Sequence, residues 1–209
     1  MKKLTLLTLV AATAVTSFGQ GFLDWGNNFT GNSRMPIYGP QAADAGISLA
    51  GQSSLGVPAG ATAYTGALLQ GAGYTFAIYA GPLGSTADQL TLLVSSAFRT
   101  SANPASLPAG LVLGGTTQVP GVLPGVAATF QVRAWDNAGG ATYATAAIKG
   151  ASGLIQTGLL GGIDAGGGIV ANPSTVGWNS FNIYAVPEPS TIVLAGLGAA
   201  SLLIFRRRK

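Results

Sequence analysis

Two uncharged apolar segments, each flanked by cations, limit what this chain can fold into. Near the C-terminus, Val186-Pro187-Glu188-Pro189-Ser190 leads into Thr191–Phe205, fifteen residues without a charge, and Arg206, Arg207, Arg208 and Lys209 follow. Pro187 and Pro189 have no backbone N–H and cannot lie inside a helix. Ser190 can cap the first free N–H groups of one, with Glu188 near its positive end. A buried helix of a soluble domain would carry a polar face; this run has none, which predicts a transmembrane helix over 191–205. At about 1.5 Å per residue it reaches roughly 22 Å, against a hydrocarbon core of about 30 Å. Ser190 and the stems of Arg206 and Arg207 extend it toward the head groups. The four terminal cations form a basic anchor that stays on the cytoplasmic side.

At the other end, Lys2 and Lys3 precede Leu4–Phe18, which is apolar apart from threonine and serine. Ser17-Phe18-Gly19 offers a small-x-small cleavage pattern before Gln20, with Ala12-Thr13-Ala14 as a second candidate. This reads as a signal peptide over 1–19. With both sets of cations inside, the precursor is a two-pass hairpin whose body, 20–185, lies outside the cytoplasm.

In order, Val186, Pro187, Glu188 and Pro189, then a short apolar run, then arginines, resemble a PEP-CTERM sorting signal of Gram-negative bacteria. The resemblance covers only the tail, about 185–209. It implies recognition of those four residues by an exosortase, a membrane cysteine transpeptidase-like enzyme. Processing near the motif and release or attachment at the cell surface would follow, often alongside exopolysaccharide production. Two prolines that hold the motif extended beside the bilayer suit a protease.

The net charge of +4 misdescribes the body. Lys2, Lys3 and the last four residues belong to the ends, leaving Arg34, Arg99, Arg133 and Lys149 against Asp24, Asp44, Asp88, Asp136 and Asp164. Four cations against five carboxylates give −1, which argues against nucleic acid as a partner. The chain has no cysteine and no histidine, so disulfides, zinc sites and His-dependent triads are out, and no cofactor is implied. Glycine, 32 of 209 residues, is about double its usual 7% share and favours turns over long helices.

Alternating runs predict an all-β body. Tyr74–Tyr79 puts Tyr74, Phe76 and Ile78 on one face. Leu90–Phe98 puts Leu90, Leu92, Val94 and Phe98 on one face. Thr129–Asp136 turns Phe130, Val132 and Ala134 one way and Gln131, Arg133 and Trp135 the other. A hairpin turn over Asp136–Ala141 leads to a strand over Thr142–Ile148, and Ser180–Ala185 forms the last strand. Weaker strands are expected at Phe22–Trp25, Tyr64–Leu69, Leu111–Leu113 and Gly153–Leu159. Pro104–Gly125 reads as a long loop or edge region. Eight or nine strands with Gly/Pro punctuation fit a single β-sandwich, jelly-roll-like in outline.

Few residues carry chemistry. Asp44-Ala45-Gly46 and Asp164-Ala165-Gly166 echo paired aspartic-protease loops, but alanine replaces the supporting hydroxyl, and Asp-x-Gly is an ordinary turn. No pair of carboxylates has glycosidase spacing, and no P-loop, nucleophile elbow or dinucleotide turn is present. Asp136-Asn137 is the nearest calcium candidate, with an Asx turn as the alternative. Gln131, Arg133 and Trp135 form a candidate ligand surface, on which an exposed indole would stack on sugars beside hydrogen-bonding neighbours. The alternatives are Arg133 stacking on Trp135 or a bulge that turns the indole into the core. The expectation is a non-enzymatic surface or matrix protein, with a carbohydrate-binding module next and an aspartate-dependent hydrolase last.

Overall fold

The computed structural model describes residues 19–29, 31–100 and 109–186. The signal peptide up to Phe18, Pro187–Pro189, the helix over 191–205 and the basic anchor Arg206–Lys209 lie outside the described residues. Among those described, no helix is long and apolar enough to cross a membrane. The one helical element there is a 3-10 turn, Asn137–Gly139.

Strands make up the rest of the regular structure among the described residues. In chain order they are β1 (Gly21–Trp25), β2 (Asn28–Phe29), β3 (Ser33–Arg34), β4 (Ile37–Tyr38), β5 (Gly71–Pro82), β6 (Thr91–Phe98) and β7 (Gly115–Val119). Then follow β8 (Ala127–Asp136), β9 (Ile148–Ala151), β10 (Ile155–Leu159), β11 (Gly162–Ile163), β12 (Ile169–Val170), β13 (Phe181–Asn182) and β14 (Tyr184–Ala185). The main sheet runs β14-β9-β8-β5-β6, and β10 also pairs with β8. On the edge of β8 away from β5, β9 holds the Trp135 end and β10 the Ala127 end. Short pairs accompany the sheet: β1 with β7, β2 with β3, β11 with β12, and β4 parallel to β13.

The core follows from the period-2 alternation of β5 and β8. Their register sets Phe76 opposite Ala134, Ile78 opposite Val132 and Ala80 opposite Phe130. Each phenylalanine thus faces an alanine, and the two strands fill one layer without crowding. All six side chains are buried in a cluster with Leu23 of β1, Ile37 of β4, Val119 of β7, Phe181 of β13 and Trp178. Trp25 stacks on Phe76 at 6.3 Å between centroids, and Phe98 meets the same ring edge-on at 6.2 Å.

The loops are fastened by side chains. Asn27, fully buried, donates through Nδ2 to the carbonyls of Met35 (3.1 Å) and Gly110 (2.8 Å) and accepts from the Val112 N–H at 2.9 Å. Asn182 accepts from Leu49 N–H (2.7 Å) and donates to Ile47 O (2.9 Å). Thr175 accepts from Gly26 N–H (3.1 Å) and donates to Gly26 O (3.0 Å). Such bonds satisfy backbone groups that no strand partner reaches.

Several expected elements take another form. Leu92 leaves the core face and is half exposed, while Leu93 packs on the core. The cause is a bulge: Ile78 pairs with Val94 but Tyr79 with Leu92, so Leu93 is an extra residue that reverses the alternation. The strand expected from Thr142 begins at Ile148. Thr142 O accepts from the N–H groups of Thr145 and Ala146 at 3.1 and 2.9 Å, and the two threonine hydroxyls lie 2.9 Å apart; this local bonding replaces a ladder. Ser180–Ala185 divides, with β13 on β4 and β14 on β9. Tyr64–Leu69 forms no strand: its pairing with β4 is limited to an isolated bridge between Leu68 and Tyr38, and the Tyr64 hydroxyl lies 2.7 and 2.6 Å from the carbonyls of Gly51 and Ser180. Leu111–Leu113 forms none either, held instead at Val112 by Asn27. The described part of Pro104–Gly125 is loop apart from β7, an edge strand paired with β1 alone.

Candidate functional site

The outward face of the main sheet gathers the polar and aromatic residues left over by the core. Pairing sets Ala77 of β5 opposite Arg133 of β8 and Tyr79 opposite Gln131, and on the other edge of β8 Lys149 of β9 stands opposite Trp135. Tyr184 of β14 follows opposite Lys149. Gln131, Arg133 and Trp135 therefore share one face, as their alternation requires.

Arg133 is the centre of this face. Its Nε donates to Gln131 Oε1 at 2.8 Å, a terminal nitrogen donates to Ala87 O, and Gln131 Nε2 donates to Ser152 O at 2.8 Å. The guanidinium lies 4.1 Å from the centroid of the Tyr79 ring and 5.0 Å from that of Tyr143. Such cation–π contacts suit the planar, weakly hydrated guanidinium. Lys149 Nζ donates to Ala144 O at 3.0 Å and stands 5.3 Å from the Tyr143 ring. Burial pushes the Tyr143 phenol above its ordinary pKa; Arg133 counteracts this, and Tyr184 and Tyr79 add to the rise.

Trp135 differs from the expected open platform. It is 4% exposed and packs with Ala77 and Ala146 beneath Tyr143, which meets the indole edge-on at 6.2 Å. The cover comes from the turn of residues 142–147, not from a bulge in β8. Arg133 stacks on the tyrosines, and the indole N–H is buried without a partner among the described residues. The accessible groups of this face are thus Tyr79, Gln131, Arg133, Tyr143 and Lys149, with guanidinium and ammonium donors beside aromatic rings. This chemistry suits hydroxyl-rich or anionic chains. Tyr79 was legible only as a residue opposite in parity to Phe76 and Ile78. Tyr143 and Lys149 gave no sequence signal, because a loop and an unpredicted strand start bring them in.

Asp24 accepts from the Thr116 hydroxyl at 2.6 Å and from Asn172 Nδ2 at 3.2 Å, whereas Asp44, Asp136 and Asp164 are engaged locally. Asp44 Oδ1 accepts from Gly46 N–H at 2.8 Å, and Asp164 Oδ1 accepts from Gly166 and Gly168 N–H at 2.9 and 2.8 Å. Asp136 caps the 3-10 turn through Ala138 N–H at 2.9 Å, and Asn137 is held by Thr75 and the Ala72 carbonyl, both at 2.9 Å. The bonds from Asp44, Asp136 and Asp164 to the N–H two residues on are Asx turns; those of Asn137 reach across to the start of β5. Among the described residues no three His, Cys, Asp or Glu side chains gather to hold a metal.

At the end of the body, Ala185 pairs with Ile148, and Val186 N–H donates to Ala147 O at 2.9 Å. The chain leaves from this sheet edge, beside the Tyr143 turn. Residues 185–209 match the family model described as the PEP-CTERM protein-sorting motif. The tail is similar to a sorting signal. A PEP-CTERM match implies an exported chain sorted by an exosortase, with a membrane-associated precursor that goes on to the cell surface. It covers the tail and leaves the function of the body unassigned. No curated protein and no solved structure matches the chain.

Proposed function

We propose that this chain is a non-enzymatic protein of the cell surface or extracellular matrix, cut at Pro187–Pro189 and acting by contact. The single observation that carries the reading is the PEP-CTERM match at 185–209, in sequence with an apolar run and a basic end. In this reading the body is a β-sandwich: the main sheet forms one layer and β1–β7 with β4–β13 the other, supported by the core cluster they share. The test is intact-mass and C-terminal peptide analysis of the protein from its native cells, fraction by fraction. A terminus near Pro187–Pro189 on surface or secreted material, lost when the exosortase is deleted, is the expected result. An intact chain ending in Arg208-Lys209 in the inner membrane would overturn it.

A second reading, a carbohydrate-binding module for exopolysaccharide, is favoured by the placement of Arg133 between Tyr79 and Tyr143. Retention on the native polysaccharide should fall for Tyr79→Ala and Lys149→Ala. Unchanged retention with both would remove the reading.

A further inference from the structure

The pole of the body where the chain enters carries apolar surface that no core requires. Gly19, Leu123, Pro124, Ile163, Ala165 and Gly167 line an open cleft of about 490 Å³. Beside it the β11–β12 hairpin sets Ile163 opposite Ile169, and these two are 69% and 90% exposed. Leu123, Val126 and Leu159 are half exposed. Exposed aliphatic surface gathered in this way marks a contact site. The one charged residue of the lining is Asp164, and its Oδ1 is held by the backbone of its own turn.

The chain leading into the cleft identifies the occupant. Leu4–Phe18 is uncharged and runs directly into Gly19, which lines the cleft. In the precursor, with that segment still attached and in the membrane, Gly19 emerges at the lipid surface. The body's other terminus is tethered as well: only Pro187–Ser190 separates Val186 from the apolar run, a reach of at most about 14 Å. The two exits lie at opposite ends of β8. The cleft adjoins the Ala127 end through Leu159, and β14 adjoins the Trp135 end through Lys149. This strand of 10 residues spans roughly 30 Å, so the body lies lengthwise along the bilayer with the apolar pole against it.

We propose that the β11–β12 hairpin and the Leu123–Val126 turn form a lipid-contact surface that docks on a phospholipid bilayer. The proposal concerns the precursor and rests on the reading that both of its apolar ends enter the membrane before processing. The absence of native cysteine allows a direct test. The full chain carrying Ile163→Cys, Ile169→Cys or, as control, Leu92→Cys on β6 is labelled with an environment-sensitive fluorophore. Each is reconstituted into phosphatidylethanolamine–phosphatidylglycerol vesicles containing nitroxide-labelled lipid. Blue-shifted emission and several-fold stronger quenching at 163 and 169 than at 92 are expected. Equal quenching at all three positions would overturn the proposal. So would a blue shift at 169 without lipid quenching, accompanied by disulfide-linked dimers of the Ile169→Cys chain, which would assign the surface to a second copy. The vesicle result does not depend on export. Failure of the export reading would show separately, as a body that protease added outside spheroplasts does not reach.

Discussion

The guanidinium of Arg133 lies 4.1 Å from the centre of the Tyr79 ring, although the residue directly opposite Arg133 is Ala77. The contact is diagonal across β5 and β8, and the small Ala77 leaves room for it. Arg133→Ala should therefore destabilise the body by about 1–2 kcal/mol, through the lost cation–π contacts and hydrogen bonds. In urea unfolding, a double-mutant cycle with Tyr79→Ala should show coupling of about 0.5–1 kcal/mol. Strict additivity would mean the stack contributes nothing.

Trp135 should behave as a core residue. Trp135→Ala is expected to cost about 3–5 kcal/mol. Trp135→Phe, which also removes a buried unpartnered donor, should cost less than about 1.5 kcal/mol. Unfolding midpoints of the two variants check this. A stable Trp135→Ala protein that has lost only polysaccharide retention would instead describe an open stacking platform.

Asn27 ties three separate backbone groups together. Asn27→Ala strands Met35 O, Gly110 O and Val112 N–H and should destabilise by about 3 kcal/mol. Hydrogen exchange should show the loss of protection at Val112 N–H first.

Alkali should loosen the loop that carries Tyr64. Burial, the leading cause, pushes its phenol up from 10.0 to about 12, so the folded state holds a proton that the unfolded state releases. The stabilising effect is complete below pH 10.0 and is lost as pH rises through about 12. Tyr38, stacked on Tyr64 at 4.2 Å, is raised in the same direction by burial. Phenolate absorbance during alkaline titration should show these two ionising with unfolding, and Tyr64→Phe should flatten the fall in stability over that window.

The sequence by itself determined the match to the sorting motif at 185–209 and the inner faces of the two central strands. Charge beside apolar length is a property of contiguous residues, and the alternation of Phe130, Val132 and Ala134 against Gln131, Arg133 and Trp135 is local geometry of period two. The tertiary structure decided what each face meets. Whether Trp135 is open depends on the 142–147 turn, which closes on its own threonine hydroxyls. Whether Leu92 faces inward depends on one extra residue in β6 relative to β5. The last strand divides because Phe181–Asn182 finds β4 while Tyr184–Ala185 finds β9. Pairing, register and cover are set by residues far apart in the chain, and no local pattern encodes them.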